Sequence, residues 1–375
     1  MVTLGKHIDI LSGCAFPSSG FNRNNGVPLI RIRDILSGKT ETYYEGSYDL
    51  KYLIKKGDLL VGMDGDFNRE YWKGTDALLN QRVCKITPNP ETLDKNFLYH
   101  FLQKELDKIH ATTDVVTVKH LSVKKIQDIK IRLPSLKEQK RIAAILDKAD
   151  AIRQKREQAI KLADDFLRAK FLEMFGTPAN NIHRFPKGTI RDLVDSVNYG
   201  TSAKASIDSG EYPILRMGNI TYQGRWDFTD LKYLDLSVKE KDKYLVKEGD
   251  LLFNRTNSKE LVGKTAVYEE DRPMAFAGYL IRVRPNSIGN NYYISGYLNS
   301  IHGKITLMNM CKSIVGMANI NAQELQNIEI LIPPKHLQDE YEIIYKKIKK
   351  GLSIYDKSAM QLQLLASNLS NKYFM

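Results

Sequence analysis

Cysteine is scarce. Cys14, Cys84 and Cys311 are the only three in 375 residues, far apart and never as a Cys-x-x-Cys pair. This excludes a disulfide framework and a thiolate metal cage, and fits a reducing compartment. Long apolar runs are missing too: no stretch approaches 18 consecutive apolar residues, which excludes a membrane-spanning helix. The opening Met1-Val2-Thr3-Leu4-Gly5-Lys6-His7 lacks the basic-then-apolar pattern of a signal peptide, so the expected location is the cytoplasm. Acidic charge is in deficit. Lys plus Arg number 56 against 44 Asp plus Glu, a formal net charge of +12. That excess favours a polyanionic partner, since each neutralised phosphate releases counterions. No segment is a basic tail, so basic faces must be built by folding.

The signatures of catalysis are also missing. There is no Asp/Asn-Pro-Pro-Tyr/Phe tetrapeptide, no Gly-x-Gly-x-x-Gly loop, no His-Glu-x-x-His and no nucleophile elbow. Leu261–Thr265 (LVGKT) looks like the end of a phosphate loop, but Ser258 stands where the first glycine is required. The seven histidines show no ligand spacing. The chain reads as a binder.

What is present is a repeat. Pro28–Ile35 (PLIRIRDI) recurs as Pro213–Ile220 (PILRMGNI), and Ile54–Gly62 (IKKGDLLVG) as Val246–Asn254 (VKEGDLLFN). Arg82–Pro90 recurs as Tyr279–Ser287, and Leu121–Pro134 as Ile320–Pro333. Four blocks in one order establish two copies of a mixed α and β domain. In each copy Lys-x-Gly-Asp-Leu-Leu predicts a turn feeding a short strand, and Lys95–Ile109 and Asn291–Ile305 predict helices.

Each copy is followed by a different grammar. From Leu136 to Phe175 there is neither Pro nor Gly, and Gly176 stands at the helix stop. A helix of that length spans about 60 Å. Ile142, Ile145, Ala149, Ile152, Ala159, Ala163 and Phe166 form its seam, interrupted by Arg156. The C-terminal seam is cleaner: Tyr341, Tyr345, Ile348, Leu352, Tyr355, Ala359, Leu362, Ala366, Leu369 and Tyr373. Each seam needs a partner, and the repeat supplies one, so the helices are expected to pair antiparallel. The fold class is therefore mixed α and β, with two repeated globular domains (1–133 and 177–332) and two long coiled-coil helices (134–176 and 333–375) related by a pseudo-two-fold axis.

This order, with the Leu133–Gln139 junction (LPSLKEQ) and Lys170–Gly176 (KFLEMFG), resembles the DNA specificity subunit of type I restriction–modification enzymes. The second junction, Ile332–Ile344, departs from the pattern, with inserted residues and loss of the Glu-Gln pair expected there. The resemblance implies that each domain reads half of a bipartite, asymmetric site on double-stranded DNA. It implies that the helices space the halves and dock two methyltransferase subunits, with motor-nuclease subunits joining for cleavage. S-adenosylmethionine, ATP and Mg2+ would then act on partner subunits, leaving no catalytic, metal or cofactor residue in this chain. A specificity protein of another methylation-based phage-defence system would share this sequence pattern, and a coiled-coil protein scaffold is the reading from a different class.

Residues to read DNA should be polar and sit on turns near strand ends. In the first domain these are Asp64, Asn68, Arg69 and Trp72, then Asn80, Gln81 and Arg82, with Thr117, Lys119 and His120 as phosphate contacts. In the second they are Asn254, Arg255, Asn257, Ser258 and Lys264, with Ser313–Asn319 matching the Thr117 region. Arg31, Arg33 and Arg216 suit phosphate contacts and strand-end salt bridges equally.

Overall fold

The computed structural model describes residues 1–113, 118–314 and 317–374, with side chains left undescribed at 312–314, 317, 353–360 and 363. The chain forms two compact units, Met1–Arg156 with Lys357–Met375, and Glu157–Asp356. Each unit holds one globular lobe and part of both long helices, which run Leu136–Phe175 and Lys335–Phe374. Among the described residues no helix is long and apolar enough to cross a membrane.

The first lobe is built on an antiparallel sheet ordered Ile8–Ser12, Val83–Pro88, Leu59–Gly62, Arg69–Tyr71. A second sheet carries a parallel pair, Val27–Ile30 beside Ala77–Leu79, flanked by Leu53–Ile54 and Tyr43–Tyr44. The second lobe repeats both. Its main sheet runs Val194–Tyr199, Leu280–Pro285, Leu251–Asn254, Thr265–Val267. Its other sheet pairs Tyr212–Leu215 in parallel with Met274–Phe276. The repeated Lys-x-Gly-Asp turns are the same object twice. Asp58 accepts from the Lys55 amide and Asp250 from the Lys247 amide. Gly57 and Gly249 sit at φ +92° and +86°, which a side chain would resist.

One element departs from expectation. The helix Lys95–Ala111 is continuous, whereas its counterpart breaks into Asn291–Asn299 and Ile301–Met310. Ser300 is the reason: it takes an extended backbone, and its hydroxyl accepts from the Gly303 amide at 3.0 Å, starting a new helix where the old one ends.

The junctions before the long helices correct a sequence reading. Gln139 is fully buried and donates to the carbonyls of Pro134 and Thr92, at 2.9 and 3.0 Å. Gln338, equally buried, donates to those of Pro333 and Ile288, both at 2.9 Å. The second junction therefore has no inserted residue and keeps its glutamine. Of the Glu-Gln pair only the glutamate is replaced, by Leu337.

Both cores are closed by the ends of long helices. In the first, Phe374 packs edge-on against Phe97 and Phe101 beside Ile142, Ala143 and Leu146. The Tyr373 hydroxyl donates to Glu138 at 2.8 Å. In the second, Phe171 and Phe175 pack on Tyr293 and Tyr341. Within each unit the beginning of one long helix meets the end of the other, which is antiparallel pairing. The described seam residues of the last helix are buried or half-buried; Tyr355 and Ala359 lie outside the described side chains. On the first long helix the seam passes through Leu167, and Phe166 is exposed.

Candidate nucleic-acid interface

Three segments of the first lobe converge at the end of the Leu59–Gly62 strand. The Met63 amide donates to the Arg82 carbonyl at 2.9 Å, and the Leu121 amide to the Met63 carbonyl at 2.7 Å. Gly65, at φ +72°, turns the chain so that its amide reaches the Lys119 carbonyl. This frame brings together Asp64, Arg82 and His120. Asp64 accepts from the Arg82 guanidinium through one oxygen and contacts His120 Nδ1 at 2.6 Å through the other. The Arg82 and His120 side chains stay 57% and 63% exposed, so a carboxylate orients two donors that remain open to a ligand. Gln81 is exposed beside them.

Other candidates are committed elsewhere. Trp72 is a core residue, its indole donating to the Thr75 carbonyl at 2.6 Å, and it is withdrawn from any surface role. The Arg69 guanidinium lies 3.4 Å from the Tyr99 ring centre, packed onto the helix Lys95–Ala111. Lys119 donates to the His110 carbonyl near that helix's end, at 2.6 Å. Asn80 is buried and accepts from the Gln81 amide, shaping the turn that presents Arg82. The half-buried Asn68 holds the loop through its carbonyl, which accepts from the Gly62 amide. Thr117 lies outside the described residues, as do Val315 and Gly316 of the matching segment.

The second lobe repeats the main-chain frame. The Arg255 amide donates to the Tyr279 carbonyl at 3.0 Å, and the Ile320 amide to the Arg255 carbonyl at 2.9 Å. Thr256, Tyr279 and Asn319 therefore stand where Asp64, Arg82 and His120 stand in the first lobe. Arg255 is not the counterpart of Arg82. Its guanidinium lies over the Tyr199 ring at 4.9 Å, with Nε buried and without a partner. Asn254 is fully buried and withdrawn from surface contact. Ser258 begins a tight turn, its carbonyl accepting from Leu261 and Val262.

Beside this frame lies an open groove. It is lined by Lys204, Arg216, Lys232 and Lys264 with Asn257 and Tyr279, and no carboxylate side chain lines it. Arg216 reaches outward to Asp230 at 2.8 Å. In the first lobe Arg33 contacts Asp34 at 3.8 Å, and the Arg31 guanidinium lies 5.8 Å from the Phe21 ring centre. Lys264 is buried at 8% exposure, and burial holds its ammonium below the usual lysine range. Sequence reasoning found Arg216, Asn257 and Lys264 but missed Lys204, Lys232 and Tyr279. The repeat carried a signal for Tyr279, which aligns with Arg82. Among the described residues no cluster of His, Cys, Asp and Glu could hold a metal.

The family model for the type I restriction modification DNA specificity domain matches residues 1–162 and again 185–366. The EcoBI specificity subunit of Escherichia coli is 30% identical over 401 residues, covering 99% of this chain and 82% of that protein. The EcoKI specificity subunit of Escherichia coli K12 is 23% identical, covering 93% and 80%. The crystal structure of the type I S subunit from M. genitalium shares the fold at a TM-score of 0.65 and 15% identity, over 98% of this chain and 94% of that one. With the duplicated domain matched in both copies, the chain belongs to the type I restriction–modification DNA specificity family.

Proposed function

We propose that this chain is the DNA-recognition subunit of a type I restriction–modification complex, each lobe reading one half of a bipartite, asymmetric duplex site. The observation that carries the reading is the repeated main-chain frame. It presents exposed polar side chains at the same place in both lobes, in a chain of net charge +12. The Arg82 guanidinium suits the O6 and N7 acceptors of guanine, and the exposed Gln81 amide suits adenine. Two different side-chain sets on one frame favour two different half-sites.

The long helices set the separation of the half-sites in this reading. Forty residues of helix give about 60 Å, on the scale of one to two turns of DNA at roughly 34 Å each. They also dock two methyltransferase subunits, a role supported by apolar side chains left exposed along them. Leu162 and Phe166 lie one helical turn apart on the first, and the adjacent Leu364 and Leu365 are exposed on the second. Methyl transfer from S-adenosylmethionine and ATP- and Mg2+-dependent translocation belong to the methyltransferase and motor-nuclease partners, and this chain supplies no catalytic group.

The experiment is duplex binding by the full chain across 50–200 mM salt. A steep loss of affinity supports phosphate contacts, and salt-insensitive or absent binding refutes the reading. For docking, Leu162→Asp with Phe166→Asp should abolish assembly with the methyltransferase subunit while DNA binding persists.

A further inference from the structure

The second lobe buries positive charge that the protein itself leaves unanswered. Lys264 is 8% exposed, yet among the described residues its ammonium has no carboxylate or carbonyl partner. The ammonium itself is not sealed off but opens on the groove, where a cation with no partner in the chain is available to an anion from outside it. Its direction is set by the frame: the Lys264 carbonyl accepts from the Asn254 amide, and the side chain lines the groove. Arg216, on the same wall, has its Nε buried without a partner although its far end meets Asp230. Lys204 and Lys232 complete the lining, so four cations face one concavity that no carboxylate side chain lines. At the position of Lys264 the first lobe has Asn68, whose carbonyl accepts from Gly62 as that of Lys264 does from Asn254.

We propose that this groove is a phosphate-ester site with Lys264 as its buried anchor, holding a backbone phosphate of DNA and placing a sequence-blind grip in the second lobe alone. This rests on the DNA-recognition reading and adds a division of labour to it. The groove's charged donors are ammonium and guanidinium groups, matched to phosphate oxygens, beside the neutral donors Ser202, Asn257 and Tyr279. Its other lining residues include Ala203, Ala205, Ile214 and Leu261, which offer no base-edge hydrogen bonds.

The test uses the full chain and labelled duplexes with and without the target sequence, titrated at several salt concentrations. Lys264→Met should weaken both duplexes by the same factor, roughly tenfold, and lower the salt slope by about one. The pair Lys204→Gln with Lys232→Gln, one exposed and one half-buried, should weaken both evenly without touching a buried position, which keeps the test valid should Lys264→Met fail to fold. Unchanged affinity and slope in these variants overturn the proposal, and so does a loss confined to the target duplex, which makes the groove a base reader. Inorganic phosphate and adenosine monophosphate provide the second arm. Millimolar binding of either that Lys264→Met removes, with duplex affinity untouched, assigns the groove to a free phosphate compound and overturns the DNA source. Absence of salt-dependent duplex binding by the unaltered chain instead sinks the functional reading.

Discussion

The two lobes share a backbone and differ in where they keep their charge. In the first, Asp64 contacts both Arg82 and His120, so the two exposed side chains are oriented from behind by one carboxylate. In the second, the same three places hold the neutral Thr256, Tyr279 and Asn319, with Thr256 and Asn319 in contact at 3.4 Å. Positive charge has moved to the neighbouring groove, where Lys264 replaces Asn68. The difference teaches that the repeat fixes where side chains are presented, while the loop lengths and residues on it are free to diverge. One frame can then present two unlike surfaces.

Four experiments break or sharpen this comparison. The largest effect concerns what the lobes have in common, closure of each core by a helix end. Phe374→Ala should cost about 3–5 kcal/mol in the first lobe, and Phe175→Ala a similar amount in the second, read by urea unfolding. A cost near zero in either lobe would show that its core closes without the helix.

Next are the junction glutamines. Gln139 also accepts from the Asp94 amide at 2.8 Å, whereas the Oε1 of Gln338 is buried without a partner among the described residues. Gln139→Leu should destabilise by about 1–3 kcal/mol, and Gln338→Leu by less. The reverse order would show that the first junction is the less dependent on its glutamine.

The second lobe alone should respond to alkaline pH through Lys304. Burial, aided by Arg168 and Lys264, pushes its ammonium down to about 8, below its unfolded value near 10.5. Folding therefore carries a penalty that is complete below pH 8 and fades as pH rises towards 10.5. Lys304→Met should stabilise the chain by about 1–3 kcal/mol at pH 7, and this gain should vanish by about pH 10.5. A pH-independent gain would assign the effect to packing alone.

The smallest effect separates orientation from stability. Asp64→Asn should change folding stability by less than about 1 kcal/mol, since its partners are exposed. It should nonetheless lower discrimination between target and non-target duplexes, with partial recovery in Asp64→Glu. Unaltered discrimination would remove Asp64 as the positioning residue for Arg82.

Much of this fold was legible because repetition and periodicity are local signals. The Lys-x-Gly-Asp turns, the strand blocks and the two long helices follow from residues adjacent in sequence. The break at Ser300 was harder, since it depends on one hydroxyl finding the Gly303 amide. The site was read less completely. Trp72 and Asn254 looked like readers because they sit among polar loop residues, yet they are buried. Trp72 had a warning in the repeat: its amide donates to the Asp58 carbonyl as that of the buried Tyr268 does to Asp250. The groove was not legible as one site, because Lys204, Lys232 and Lys264 come from three separated segments that only the second sheet and its loops bring together.

The central claim is that two lobes read two separate blocks of bases. Selection of bound duplexes from a randomised library, by the full chain and by Arg82→Ala, tests it most directly. The account predicts two conserved blocks with an unconserved spacer, and loss of one base preference in one block alone when Arg82 is removed. A single block, or a loss spread over both, would contradict it.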